Sequence, residues 1–303
     1  MSSSLVDAAV RPARPEDAAA VAELTAAYDL RWCGVSDTAA EDILDDWRGV
    51  DLDRDTWLWE LDGRVAAFGI VFVRHERLHS DGYVHPDLLG RGFGSAILER
   101  MEARARELGF ERIGTATLVA DEAGARLLES RGYRDVRHFF RMAIDLDAPP
   151  PEPSWPAGLE PKPVEPEQLR AFHVSKEEAF ASEWGHTPTP FEAFVARAVE
   201  GPRADLSLWT AVWDGDQIAG TLIAAPELGG GWVASIGVRE PWRRRGLGLA
   251  LLRRSFGQFW DRGERRVQLG VDAGNATGAL RLYERAGMHV VWEAVVYEKE
   301  LEP

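Results

Sequence analysis

The chain has 303 residues, of which 45% are hydrophobic, and a formal net charge of −15 at pH 7. This length and apolar content suffice for two domains with filled cores. The acidic balance excludes a general nucleic-acid binder, because polyanions would be repelled, and it favours cationic partners such as amines. The chain shows no signal-peptide pattern, no run of membrane-spanning length and a single cysteine, Cys33. We therefore expect a cytoplasmic protein with no membrane partner.

An internal repeat organises the chain. Residues 11–17 align without gaps on residues 162–168, and in each copy a helical pattern follows a proline at its first turn. Five prolines, at positions 149, 150, 151, 153 and 156, form a stiff connector between the copies. We therefore predict a first domain over residues 1–147, a linker over 148–160 and a second domain over 161–303.

Periodicity predicts alternating helices and strands in both copies. In the first copy it predicts helices over 15–28, 39–47 and 94–108, and strands over 56–60 and 65–73. In the second it predicts strands over 208–213, 217–224, 232–238 and 267–271, and helices from 249 and over 276–285. Mixed strands with helices crossing over them indicate an α/β sheet that is covered on both faces.

A basic glycine turn separates the strand that ends at Val238 from the helix that starts near residue 249. Glycines at 246 and 248 let successive N–H groups point at one anion, and the helix adds its unpaired N–H groups and positive dipole end. Three arginines at 243–245 bring positive charge to the rim. The turn predicts a phosphate site, with a solvated basic turn as the alternative.

The pattern R-x-x-G-x-G over residues 243–248 resembles the acetyl-CoA pyrophosphate loop of the GNAT superfamily of N-acetyltransferases. Residues 267–288 resemble the second cofactor motif of that family, with its Asn, Ala, Leu and Tyr. The resemblance implies two tandem GNAT-like domains, each a twisted, splayed mixed β-sheet flanked by helices. Acetyl-CoA would lie in the gap of the splayed sheet, and no metal is implied.

The resemblance also assigns roles to individual residues of the second copy. It implies cofactor contacts from Ile236, Gly237, Val238, Arg243, Arg244, Arg245, Gly246, Leu247, Gly248, Asn275, Ala279, Leu282 and Tyr283. Tyr283 would protonate the departing thiolate, and the main-chain N–H near Val238 would bind the oxyanion. The alternative is structural, with Tyr283 as a core residue and Asn275 as a helix cap.

The general base is not identified by the sequence. Relatives often carry a Glu on the strand before the phosphate loop, but residues 232–238 contain no carboxylate. Ser235 could position a water molecule on that strand. His186, Glu183 and Glu178 are alternatives, each with a solvent-facing role as the simpler interpretation.

The first copy departs from the motifs. Leu89 stands where the loop has Gln or Arg, Ala120 replaces Asn275 and Leu128 replaces Tyr283. We expect the first copy to be catalytically silent, although it can still bind CoA or complete the substrate cleft. Four tryptophans are candidates for that cleft, with core packing as the alternative for each: Trp32, Trp47, Trp184 and Trp232.

These features predict an acetyl-CoA-dependent N-acetyltransferase whose second copy acetylates a primary amine of a small molecule. One alternative is a non-catalytic acyl-CoA-binding or regulatory protein. Another is mycothiol synthase, because the A-F-x-x-x-W-G stretch at 179–185 and the tandem layout resemble that group, although the expected strand carboxylate is missing. Two fused copies can replace the dimer that many family members form, so the chain is expected to be a monomer or a homodimer.

Overall fold

The computed structural model describes residues 7–36, 38–74, 76–181, 186–201, 203–227, 229–274 and 278–302. Asn275, Glu183 and Trp184 lie outside the described residues, so their roles stay predictions. The chain divides into two compact units, Met1–Phe139 with Trp292–Pro303, and Phe140–Val291. Within the described ranges, no helix is both long and apolar enough to span a bilayer.

The first unit is a mixed sheet with helices on both faces. Its elements are β1 (Ala9–Arg11), α1 (Ala18–Trp32), α2 (Ala40–Asp46), α3 (Leu52–Asp55), β2 (Thr56–Leu61), β3 (Arg64–Arg74), β4 (Arg77–Val84), α4 (Phe93–Glu107), β5 (Arg112–Leu118), α5 (Glu122–Ser130), the first half of β6 (Arg134–Asp145) and most of β12 (His289–Glu300). Strands β1 to β5 lie in chain order, and β12 pairs with β5. The β4–β5 pair is parallel, and β1–β2, β2–β3, β3–β4 and β5–β12 are antiparallel.

The second unit repeats this architecture. Its elements are the second half of β6, β7 (Leu159–Lys162), α6 (Leu169–Phe180), α7 (Phe191–Phe194), β8 (Thr210–Asp214), β9 (Gln217–Glu227), β10 (Gly230–Val238), α8 (Leu247–Asp261), β11 (Arg266–Asp272) and α9 (Ala279–Arg285). The strand order is β6-β11-β10-β9-β8-β7, with β10 and β11 parallel. The helices predicted over 94–108 and from 249 are confirmed as α4 and α8.

Apolar side chains fill both units. In the first unit, one buried cluster includes Met101 of α4, and a second includes Val21 of α1. In the second unit a single cluster includes Phe172 of α6, Leu222 of β9 and Phe256 of α8. Burial of each such side chain contributes roughly 1.5–3 kcal/mol, so these clusters fix the helices that carry the candidate site.

The division of the chain differs from the predicted one at two places. The last strand belongs to the first unit, because residues from Ala294 to Glu300 pair with β5 and Val295 and Tyr297 enter that unit's core. In addition, β7 begins inside the predicted linker. Pro161 is compatible with β7 because this strand lies at the edge of the sheet, where a missing N–H costs no ladder bond.

Both sheets are splayed next to their parallel pair. In the second unit β10 stays paired with β9 as far as Val238, whereas its described ladder with β11 covers Gly231 and Trp232 alone. In the first unit the described β4–β5 ladder is the single pair His79–Gly114. The prediction of splayed mixed sheets flanked by helices is therefore confirmed.

Candidate acetyl-CoA and acceptor site

The predicted phosphate loop has a left-handed backbone at two positions. Gly246 caps α8 with φ of 88°, and a Cβ built on it would meet no atom within 4 Å. Arg244 has φ of 60°, which is unfavourable for any residue with a side chain. Among the described residues no side chain caps α8, so the first N–H groups of the helix have no side-chain acceptor there. This backbone can bind an anion.

Gly248 has a different environment from Gly246. A Cβ at Gly248 would lie 2.9 Å from Cδ2 of Leu282. The absence of a side chain at Gly248 therefore lets α9 approach the first turn of α8. This contact places Leu282 and the neighbouring Tyr283 beside the phosphate loop, while Leu247 is buried and Ala279 packs against the same core.

The three arginines of the loop have different environments. Arg243 donates from Nε to the Val238 carbonyl at 2.9 Å and from Nη2 to the Ala179 carbonyl at 2.8 Å. It therefore joins the end of β10 to the end of α6. Arg244 and Arg245 are exposed at the rim. These two guanidinium groups therefore supply the exposed positive charge of the loop.

The end of β10 presents unpaired backbone to the gap between β10 and β11. The N–H of Arg239 donates to the Ala219 carbonyl at 3.0 Å. In an antiparallel ladder, bonded and non-bonded pairs alternate, so the N–H groups of Val238 and Ile236 point away from β9. They face the side where β11 has separated, which is the geometry that an oxyanion donor at Val238 requires.

Side chains around this gap are tightly packed. A Cβ on Gly237 would lie 2.9 Å from Cβ of Ala179 and 3.1 Å from the Phe180 ring, so only glycine lets α6 contact the strand here. The Ser235 hydroxyl is buried and has no hydrogen-bond partner among the described residues. Such a group is suited to hold a water molecule or a polar ligand atom. Tyr283 is also buried, with 7% of its surface exposed.

The candidate bases differ in their partners. Glu178 forms an ion pair with Arg239 at 2.6 Å, and half of its side chain is exposed. His186 is 84% buried by contrast, and its Nε2 lies 3.1 Å from Oε2 of Glu177. The sequence interpretation missed Glu177. The spacing of His173, Glu177 and Phe180 at i, i+4 and i+7 was the available signal, because it places all three on one face of α6.

The first unit keeps the left-handed glycine turn and has a leucine in the place of Tyr283. Gly90 and Gly92 have φ of 74° and 92°, matching Arg244 and Gly246. Leu128 occupies the place of Tyr283, since its carbonyl accepts the same two main-chain bonds after the helix. These backbone features agree with the predicted correspondence of Leu128 with Tyr283 and of Gly92 with Gly246.

Two side chains, Tyr28 and Asp81, make the gap between β4 and β5 different from the gap between β10 and β11. Tyr28 of α1 donates to Asp121 at 3.1 Å, lies 3.2 Å from the Thr117 hydroxyl, and packs edge-on against Tyr83 of β4. Its ring thus bridges β4 and β5 where they separate. Asp81 pairs with Ile70 as Ser235 pairs with Ile223, and burial together with the charge of Asp46 raises the pKa of Asp81 to about 6.

The tryptophans predicted as cleft candidates lie in different environments. Trp47 is buried and packs against Phe68, which is the core-packing alternative. Trp232 is partly buried and lies under the Arg141 guanidinium at 4.3 Å. Trp32 is likewise partly buried, and its indole N–H has no hydrogen-bond partner within the described ranges.

Known proteins resemble the chain over most of its length. A family model described as acetyltransferase (GNAT) family matches residues 21–133 and 169–288. A mycothiol acetyltransferase of Nocardiopsis dassonvillei is 29% identical over 270 residues, 78% of each chain. One of Thermobispora bispora is 30% identical over 216 residues, 67% of this chain and 70% of the relative.

Solved structures of GNAT proteins resemble the chain over almost its whole length. A GCN5-related N-acetyltransferase from Sphaerobacter thermophilus is 37% identical with a TM-score of 0.87, covering 99% of this chain and 98% of that one. A tandem GNAT protein from the clavulanic acid biosynthesis pathway shares the fold, with a TM-score of 0.77 at 18% identity over 98% and 99% of the two chains.

Proposed function

Because this chain belongs to the GNAT family of acetyltransferases and is an N-acetyltransferase, we propose that its second unit transfers an acetyl group from acetyl-CoA to a primary amine of a small molecule. The open left-handed turn at Gly246, next to the unpaired strand edge at Ile236 and Val238, is the observation that carries the proposal. A pyrophosphate suits the turn, and an amide-bearing arm suits the strand edge.

The proposed reaction is a direct attack on the thioester. The neutral amine attacks the carbonyl carbon, and the Val238 N–H stabilises the oxyanion that forms. Collapse breaks the C–S bond, and Tyr283 gives its hydroxyl proton to the sulfur. Asn275, for which the family resemblance suggests contact with the pantetheine arm, completes the proposed cofactor contacts.

The acceptor class follows from the relatives. Several relatives named mycothiol acetyltransferases match the chain, so the cysteinyl amine of a thiol–sugar conjugate is the first acceptor to test. Against that acceptor stands the strand over residues 232–238, which lacks the carboxylate expected of that group. The single cysteine supports a reducing, cytoplasmic location.

We assign no turnover to the first unit. Leu128 cannot protonate a thiolate, and Tyr28 lies between β4 and β5 in the gap that would receive the pantetheine arm. Burial raises the pKa of Tyr28, so it remains a neutral phenol that holds Thr117 and Asp121 together.

Mass spectrometry tests the proposal without interference from thiol acceptors. Acetyl-CoA is incubated with a panel of primary amines that includes a cysteinyl sugar amide, and both CoA and the acetylated amine are quantified. We expect stoichiometric products from the wild type and a rate about 10²-fold lower from Tyr283→Phe, the usual size of an acid–base contribution. Tyr133→Phe, at a buried tyrosine of the first unit, is the matched control. Acetyl-CoA binding with no acetylated amine from any acceptor would contradict the proposal.

A further inference from the structure

A cluster of polar side chains surrounds Glu177 on α6. Its carboxylate lies 2.9 Å from the Lys176 ammonium and 3.1 Å from His186 Nε2, and it accepts the Thr189 main-chain N–H at 3.3 Å. His173 Nε2 is 3.7 Å away, too far for a hydrogen bond. The exposed fractions of the Glu177 and His186 side chains are 14% and 16%. The cluster therefore fixes the chain after residue 185 onto α6.

The charges in the cluster keep Glu177 ionised. Burial alone would raise the pKa of Glu177, but the Lys176 hydrogen bond and charge, the Thr189 N–H and the nearby His186 outweigh burial and lower it. An ionised carboxylate beside Nε2 favours the tautomer that carries its proton on Nε2. The lone pair then stays on Nδ1, which is the arrangement of a histidine that accepts a proton.

The cluster adjoins the proposed reaction centre through one aromatic ring. The His186 ring packs against Phe180, with 6.5 Å between ring centroids, and Phe180 in turn packs on Gly237 of β10. Arg243 fixes the same end of α6 to the Val238 carbonyl. The Phe180 ring therefore lies between His186 and Gly237, on the strand that carries the proposed oxyanion donor.

Other groups near the gap are less suited to accept the proton. Glu178 is ion-paired with Arg239, and half of its side chain is exposed. His173 is packed against the rings of Phe191 and Phe194. Ser235 offers a hydroxyl, which is too weak a base to deprotonate an ammonium group.

We propose that His186 accepts the proton of the acceptor amine and that Glu177 is the positioning residue that sets its tautomer. The assignment rests on the proposed acetyl transfer. The ammonium gives one proton to His186 Nδ1, and the freed lone pair forms the N–C bond of the tetrahedral oxyanion. Collapse of this oxyanion then breaks the C–S bond. Tyr283 protonates the sulfur and is reprotonated by the second nitrogen proton. The products are the amide, CoA and one proton, which His186 releases to solvent.

The pH dependence of kcat/KM tests this assignment, with the panel amine that gives the highest rate as acceptor. We expect His186→Asn to lower kcat/KM about 10²-fold at pH 7 and to leave acetyl-CoA affinity unchanged by calorimetry. The deficit should shrink about tenfold per pH unit toward alkaline pH, because the amine then loses its proton to solvent. Glu177→Gln should give a smaller loss.

Nitrogen-15 spectra of the imidazole supply a readout that does not depend on turnover. We expect the Nε2–H tautomer for His186 in the wild type and a mixture of tautomers in Glu177→Gln. The exposed residues Glu192 and His289 provide the controls Glu192→Gln and His289→Asn, which should change neither readout.

The outcomes separate the two proposals. If the wild type acetylates an amine and His186→Asn has the same rate and pH profile, the base assignment is overturned and the transfer reaction stands. An Nδ1–H tautomer of His186 in the wild type would have the same consequence. Absence of any acetylated amine from the wild type refutes the transfer reaction, and the role of His186 with it.

Discussion

Replacement of Arg244 by glycine should both raise the free energy of unfolding and lower the affinity for acetyl-CoA. The residue has φ of 60°, and the corresponding position of the first unit is Gly90, with φ of 74°. A left-handed backbone costs a residue with a side chain roughly 1–2 kcal/mol. The greater freedom of glycine in the unfolded chain takes back about 0.4–1 kcal/mol. The expected net gain in the free energy of unfolding is therefore about 0.5–1 kcal/mol.

The same substitution removes an exposed positive charge from the phosphate loop. Exposed charge pairs contribute about 0.2–1 kcal/mol, so acetyl-CoA affinity should fall about 1.4- to fivefold, and by less at high ionic strength. Urea unfolding measures the first effect and calorimetric titration at two salt concentrations measures the second. Strain retained at a position where glycine would fit is the expected signature of a functional arginine.

Glu76→Gly is the matched control, because Glu76 also has a left-handed backbone, with φ of 62°, in a hairpin of the first unit. It should stabilise the protein similarly and leave acetyl-CoA affinity unchanged. An Arg244→Gly variant that binds acetyl-CoA as tightly as the wild type would refute the assignment of this side chain to the cofactor.

Two further predictions concern pH. The raised pKa of Asp81 means that the folded protein holds its proton up to about pH 6, so stability falls as the pH rises from about 4 to 6. Asp81→Asn should raise the free energy of unfolding at pH 7.5 by up to about 2–3 kcal/mol and change it little at pH 4. Equal effects at both pH values in urea titrations, or a similar gain from the exposed Asp53→Asn, would count against this explanation. Hydrogen bonds to Asp135 and Glu293 raise the pKa of His138, so its contribution is present below the ordinary histidine range and is lost as the pH rises through the folded value. His138→Gln should therefore destabilise the protein at pH 6 and have a smaller effect at pH 9, which thermal unfolding across pH would show.

Local signals in the sequence predicted the repeated architecture and the loop. The glycines and arginines of residues 243–248 lie within one turn, and α4 and α8 have helical periodicity along a single segment. The structure adds that Gly248 admits Leu282 and that Arg243 bonds to two carbonyls. Both contacts join residues distant in the chain, so spacing alone could not reveal them.

Non-local contacts explain what the sequence did not predict. The final strand pairs with β5 across more than half of the chain, and nothing within residues 292–300 specifies that partner. Helical spacing could place Glu177 on one face of α6, but not its contacts with His186 and Thr189, because these partners lie beyond the end of that helix. Asp81 and Ser235 became comparable only through the pairing of their strands.

Calorimetric titration of acetyl-CoA into the wild type, Gly246→Asp and Gly92→Asp tests the central claim most directly. Both glycines cap helices with left-handed φ values, 88° at Gly246 and 92° at Gly92. The two substitutions therefore impose similar strain and add the same negative charge in different units. We predict that Gly246→Asp abolishes binding while Gly92→Asp retains it. Undiminished binding by Gly246→Asp would contradict the location of the cofactor in the second unit.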